Sequence, residues 1–247
     1  MENPYLSVVI PAYNEEKRIS QTLLAIDHYL SQQDYSSEIL VVDDGSKDKT
    51  AQVVKNFTNL IKNLRLIDNR ENHGKGWVVK QGMLEAKGEY RIYIDADNAI
   101  SLDQIESFWP YLEQGYDLVI GSIAVKGAKI EEGAAWYRRL LGKWSKYLIR
   151  LLAIWEIHDS QRAFKLFPAK VAEDIFSRQT IERWGFDIEV LVIAKKLGYR
   201  IKELPVTWIN PGESKVTLKS YWRTLKELLK IKWNLISGKY TPSKKNN

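Results

Sequence analysis

Short apolar runs alternate with helically spaced segments through the first half of the chain. The runs are LSVVIPA, SEILVVDDGS, LRLIDN, YRIYIDAD and DLVIGS. Between the first three, residues 16–33 and 49–62 set apolar side chains at helical intervals. Strands alternating with helices of that length form βαβ units, which build a mostly parallel central sheet with helices on both faces. The expected fold class is therefore α/β. In such sheets ligands collect at the carboxyl ends of the strands. Each polar cluster of this half, AYNEE, DDGSKDKT, NRENHGKG and DADNAIS, directly follows or ends an apolar run.

The second half has a different pattern. Residues 133–155 are rich in tryptophan and basic residues, and Trp136, Leu140, Trp144, Tyr147, Leu148 and Leu151 make an apolar stripe. Near the end, at about 100° per residue, Leu218, Trp222, Leu225, Leu229, Trp233 and Ile236 share a face, with Lys219, Arg223, Lys226 and Lys230 beside them. After Glu213 the one acid is Glu227. A basic amphipathic helix over 218–236 either lies at a membrane surface or packs on the protein's own core. The division expected is a domain over 1–210 followed by a basic helix and tail over 211–247.

Composition narrows the chemistry. The chain has 247 residues, 45% hydrophobic and 28% charged, enough for one α/β domain with an extension. No apolar run reaches the roughly 18 residues of a membrane-spanning helix, and MENPYLSVVI lacks the features of a signal peptide. A cytoplasmic protein is expected, peripheral on the membrane if the basic helix meets lipid. The absence of cysteine excludes disulfides, thiolate zinc sites and cysteine nucleophiles. A net charge of +6 suits a surface that meets phosphates. Nucleic acid is not the expected partner, because the aromatics fall in helical stripes rather than on a stacking platform. Neither GxGxxG nor GxxxxGK[ST] occurs, which disfavours a nicotinamide dehydrogenase and a P-loop NTPase.

In IDAD, Asp95 and Asp97 lie on one side of an extended chain, since side chains alternate with period two. Paired hard oxygen ligands suit Mg2+ or Mn2+, with a diphosphate completing the shell; the plain alternative is a solvated turn. At the end of the first strand, Pro11 stiffens the turn and Asn14 is placed to cap the next helix. Asp43 and Asp44 end the second strand, where acids in dinucleotide folds hold a base or ribose. They also suit a turn, with Asp48 capping the helix that follows. Gly74 and Gly76 flank Lys75 just before a helix, an arrangement that lets backbone N–H groups and a cation approach phosphate. His73 and His158 read as loop histidines, and HDS is no triad by adjacency alone.

Taken in order, VVIPAYNEE, EILVVDDGSKDKT, NHGKG, YIDAD, DSQRAFKLF and RWGFDIEVLVIAKKLGYRIKELPVTW resemble the family 2 glycosyltransferases of GT-A fold over residues 5–210. Within them the set most resembles the dolichyl-phosphate glucose and mannose synthases and their bacterial polyprenyl-phosphate relatives. The resemblance implies an inverting, metal-dependent transfer of a hexose from a UDP- or GDP-sugar, glucose from UDP-glucose first, to a polyprenyl phosphate. It implies that Pro11, Tyr13 and Glu15 line the nucleotide pocket and that Asp44 holds the base or ribose. Lys75 would lie near the diphosphate, Asp95 and Asp97 would hold the metal, and Asp159 would sit near the reacting centre. Arg162 and Lys165 are implied as acceptor-phosphate contacts, and Asp187 stands where many members keep their catalytic base. Two departures stand out: DSQRAFK where eukaryotic glucose-transferring members tend to read DTQCGFK, and DADN where DADG is frequent. They put substitutions at Arg162 and Ala163 on the acceptor surface and make Asn98 a modifier of metal or sugar contacts. Transfer to a saccharide hydroxyl is the second enzyme reading. A nucleotide-sugar-binding module without turnover is the third, disfavoured by intact Asp95, Asp97 and Asp187.

Overall fold

In the computed structural model, residues 3–131, 147, 149–209 and 218–241 are described. The expected stripe at Trp136, Leu140, Trp144 and Leu148 lies outside them, as do the side chains of Leu218, Lys219 and Trp222. Among the described residues, the first half follows the alternation of the sequence: β1 (Leu6–Ala12), α1 (Ile19–Leu30), β2 (Ser37–Asp44), α2 (Thr50–Phe57), β3 (Leu64–Asn69), α3 (Lys75–Glu85) and β4 (Tyr90–Ile94). A 3-10 turn (Leu102–Ser107), α4 (Trp109–Glu113), β5 (Leu118–Ser122) and β6 (Lys129–Glu131) follow. Beyond these come β7 (Phe164–Pro168), α5 (Ala169–Phe176), α6 (Phe186–Lys196), β8 (Ile201–Pro205), β9 (Thr207–Ile209) and α7 (Leu218–Ile236).

The main sheet runs β3-β2-β1-β4-β7-β5-β8, and β6 pairs with β9 apart from it. The β1–β2, β2–β3, β1–β4 and β5–β8 pairings are parallel. Strand β7 runs antiparallel between β4 and β5. Burial on both faces explains the unbroken VVI and ILVV runs. Val9, Leu40, Val42 and Tyr93 enter one core, while Val8, Ile10, Ile39, Val41, Ile92 and Ile94 enter the other. Antiparallel β7 brings the DSQRAFK segment to the same end of the sheet as the DAD turn, because its start, Phe164, pairs with the last residue of β4, Ile94.

Asn14 does not cap α1. That helix begins at Ile19, with Arg18 in the cap position. Asn14 instead adopts a left-handed φ of 54°, and its Oδ1 accepts the Lys47 N–H at 2.8 Å while its own N–H donates to Ser46 Oγ. It pins the first two polar loops together. Asp48 does serve the start of α2, accepting the Thr50 N–H at 2.9 Å.

Helix α7 packs on the domain, but not through the face the sequence singled out. Leu228 and Ile231 are buried. Glu227 accepts the Gly185 N–H at 2.8 Å, and Asn234 donates to Thr180 Oγ1 at 3.0 Å. Just beyond the helix, Tyr240 donates to Glu189 at 2.6 Å. Leu229, Trp233 and Ile236 are left 58%, 69% and 71% exposed. Among the described residues, no helix is long and apolar enough to cross a membrane.

Candidate active site

The carboxyl ends of β1, β2 and β4 converge with the loop before α3. Pro11 is buried within β1, and Tyr13 and Glu15 are half-buried just past it. Glu15 forms a 2.6 Å ion pair with Arg18, and its backbone N–H donates to Thr50 Oγ1. Asp43 accepts both the N–H and the Oγ of Ser46, at 2.8 and 2.5 Å. Asp44 is turned onto the next loop, where it accepts the His73 and Gly74 N–H groups and the Asn72 amide. Burial raises the pKa of both acids above the usual carboxylate value, and these hydrogen bonds pull it back in part.

The glycines around Lys75 make room for a close packing contact. Gly74 sits at φ 109°, and a Cβ on Gly76 would meet the Ile181 carbonyl oxygen at 2.6 Å. The Trp77 N–H in the first turn of α3 donates to Glu182 O at 3.0 Å. The turn is therefore covered by the segment that carries Arg183 and Trp184, and the small residues permit that contact. The Lys75 side chain still reaches the site: its Nζ pairs with Asp95 Oδ1 at 2.5 Å and lies 5.5 Å from the Trp184 ring centroid. Burial would lower the Lys75 pKa, but Asp95 and then Asp187 more than offset it and hold it above the ordinary value.

Strand β4 ends at Ile94, so Asp95 and Asp97 sit in the turn after it rather than in the strand. Asp97 accepts the Ala99 N–H at 3.1 Å. Its pKa is raised, first by burial and then by the neighbouring charge of Asp95. Asn98, at φ 53°, has a buried Oδ1 without a hydrogen-bond partner among the described residues. Two crowded carboxylates fit a hard divalent cation, which would relieve the repulsion. Among the described residues no cluster of three His, Asp or Glu side chains forms a complete ligand set.

Asp187 opens α6 and is buried; its Oδ1 accepts both the Tyr93 hydroxyl and the Lys165 ammonium at 2.6 Å. Lys165 is fully buried and also donates to the Arg162 carbonyl at 2.5 Å. Burial lowers its pKa, with Asp187 opposing. Asp159 is buried as well. Its backbone N–H donates to Glu203 at 2.8 Å, and its Oδ2 accepts Arg162 Nε at 3.3 Å.

Between Asp95 and Arg162 lies an open cleft, lined by Asp95, Ala99, Ile100, Gln161, Arg162, Ala163 and Trp208. The DAD turn and the DSQRAFK segment thus face each other, as two motifs of one site should. Gln161, Trp208 and, beside Lys75, Trp184 are additions that the motifs alone did not single out. Trp208 closes PVTW, where an alternating apolar pattern marks a strand but not which ligand its side chain faces.

A family model described as glycosyl transferase family 2 matches residues 7–176. The chain belongs to that family. This glycosyltransferase is 36% identical over 237 residues to dolichyl-phosphate beta-glucosyltransferase ALG5A of Trichomonas vaginalis, covering 92% of this chain and 72% of that one. Its fold is similar to that of mannosyl-3-phosphoglycerate synthase from Rubrobacter xylanophilus, with a TM-score of 0.69 and 17% identity over 99% of this chain and 77% of the other. It is also similar to glucosyl-3-phosphoglycerate synthase from Mycobacterium tuberculosis in complex with Mn2+, UDP and glucosyl-3-phosphoglycerate, at a TM-score of 0.63 and 18% identity, covering 98% and 82%. The strand order and these neighbours make it a GT-A fold.

Proposed function

We propose that this glycosyltransferase moves glucose from UDP-glucose to a polyprenyl phosphate, with inversion at the anomeric carbon and with Mg2+ or Mn2+ bound. The observation that carries the reading is the cleft, which Asp95 of the DAD turn and Arg162 line together. The relative in T. vaginalis, named for glucose transfer to dolichyl phosphate, supports the same donor sugar and acceptor class.

The division of labour follows from charge. Asp95 and Asp97 would hold the cation, and Lys75, paired with Asp95, would meet the diphosphate from the α3 side. A divalent cation there would neutralise charge developing on the departing UDP. Pro11, Tyr13, Glu15, Asp43 and Asp44 would form the nucleotide side, Asp44 by fixing the loop that carries Lys75. Arg162 meets the acceptor phosphate. One phosphate oxygen attacks C1, the C1–O bond to the diphosphate breaks, and UDP leaves with the electron pair. A phosphate monoester has a second pKa of about 6, so its attacking oxygen carries no proton at neutral pH. A saccharide hydroxyl would need a base, and Asp187 is already engaged by Lys165 and Tyr93. Asp187 and Asp159 are read accordingly as groups that position cations.

The exposed side of α7 is assigned to the bilayer that carries the acceptor. Leu229, Trp233 and Ile236 form its apolar stripe, and Lys226, Lys230 and Lys232 flank it with charge that suits anionic lipid. The test is a transfer assay with labelled UDP-glucose and GDP-mannose in parallel, a short polyprenyl phosphate in detergent, and a saccharide acceptor as a third arm. Label from UDP-glucose should enter the organic phase. Label recovered in the saccharide alone would overturn the acceptor, and preference for GDP-mannose would overturn the donor.

A further inference from the structure

The DSQRAFK segment brings a guanidinium to the cleft, and two neighbours hold that group although its side chain is 26% exposed. Arg162 Nε is held by Asp159 at 3.3 Å, and its guanidinium carbon lies 4.8 Å from the Trp208 ring centroid. Lys165 anchors the Arg162 carbonyl from below at 2.5 Å. No described residue binds the two terminal nitrogens of Arg162.

Trp208 is itself held in place. Both the N–H and the carbonyl of Thr207 bond the Gln104 side chain, at 2.7 and 3.0 Å, and the Ile209 N–H donates to Ala99 O at 2.9 Å. Strand β9 is thereby tied to the turn that carries Asp95 and Asp97. A guanidinium over an indole face is attracted by the ring and keeps its in-plane N–H donors available. Those donors match the oxygens of a phosphate, which a guanidinium takes in bidentate fashion.

We infer that Trp208 is a positioning residue that holds Arg162 as the clasp for the acceptor's phosphate monoester. The inference rests on the proposed function above and names a residue which that reading did not require. The cleft favours the acceptor's phosphate over the donor's diphosphate because of where it lies. Its lining comes from the DAD turn, the segment before β7 and strand β9, whereas the nucleotide-side residues sit on β1, β2 and the loop before α3, across Asp95 from Arg162.

The experiment compares Trp208→Leu, Trp208→Phe, Arg162→Gln and the double variant Trp208→Leu/Arg162→Gln in steady-state transfer. Trp208→Leu should raise KM for polyprenyl phosphate on the order of tenfold, with kcat and the KM for UDP-glucose within about twofold of wild type. Trp208→Phe keeps a ring face and should recover most of the loss. Arg162→Gln should cost more, and adding Trp208→Leu to it should cost nothing further, the non-additivity expected of a coupled pair. A raised KM for UDP-glucose, a change in kcat alone, or additive losses would overturn the inference. A calorimetric titration of farnesyl phosphate into the enzyme with UDP and Mg2+ reads the subsite without turnover. Saturable binding that weakens about tenfold in Trp208→Leu and vanishes in Arg162→Gln is expected. Wild-type transfer with an unchanged acceptor KM in Trp208→Leu would sink the inference and leave the proposed function standing. Farnesyl phosphate binding that needs Arg162, with no transfer to polyprenyl phosphate, would do the reverse. No saturable binding to wild type would overturn the clasp.

Discussion

At the scale of single residues, Lys165 and Asp187 show how burial changes the meaning of a motif. WGFD offered Asp187 as an acid at a helix start, and DSQRAFK offered Lys165 as a cation. Folding brings the two together at 2.6 Å with both side chains almost fully covered. A buried pair gains little over an apolar replacement, but removing one partner strands a charge and costs about 3–5 kcal/mol. Lys165→Met should lose about that much stability in urea unfolding, and Lys165→Met/Asp187→Leu should recover most of it. If the single variant unfolds like wild type, the pair is not the buried contact described here. The acids were legible as acids because strand ends and helix starts collect them. Their partners were not, because Tyr93 lies 94 positions from Asp187. The alternation in YRIYIDAD sets Tyr93 on the side of Arg91 and Asp95, and does not say which group it meets.

At the scale of elements, most of the first-half strands were legible and the helix starts were less so. Unbroken apolar runs mark strands buried on both faces, and β1 and β3 carry the limits of their runs. Helix α1 starts three residues later than its apolar spacing suggested, at Ile19, because Asn14 is committed to the neighbouring loop. Gly76 stood beside Lys75 as part of a possible phosphate loop, and the fold gives it a packing contact that the sequence did not show. Gly76→Ala would push a methyl against the Ile181 carbonyl and the Phe186 Cβ, both within 2.7 Å. Overpacking of this kind costs about 1–3 kcal/mol, which at roughly 2–4 °C per kcal/mol should be plain in a thermal melt. Helix α7 has two apolar sides, and periodicity cannot tell which of them another element will cover. Leu228→Ala should destabilise by about 2–5 kcal/mol. Trp233→Glu should leave the melt unchanged yet abolish sedimentation with vesicles of anionic lipid. A Trp233→Glu variant that still pellets with vesicles would remove α7 from the membrane.

At the scale of the whole molecule, the sheet order does the assembly that the motifs could only imply. Antiparallel β7 beside β4 places the DSQRAFK segment against the DAD turn, and β9 closes the cleft with Trp208. A chelator should stop transfer, and Mg2+ or Mn2+ should restore it in wild type but not in Asp97→Ala. Unchanged activity in Asp97→Ala would take the carboxylate pair out of the metal site. The most direct measurement is the structure of the product. Enzyme, UDP-glucose and a short polyprenyl phosphate should yield a lipid heavier by one hexose, with the anomeric carbon bonded to phosphate oxygen and, by NMR, in the β configuration. Glucose attached to a hydroxyl, an α-linked phosphate, or release of free glucose with the lipid phosphate unchanged would contradict the account.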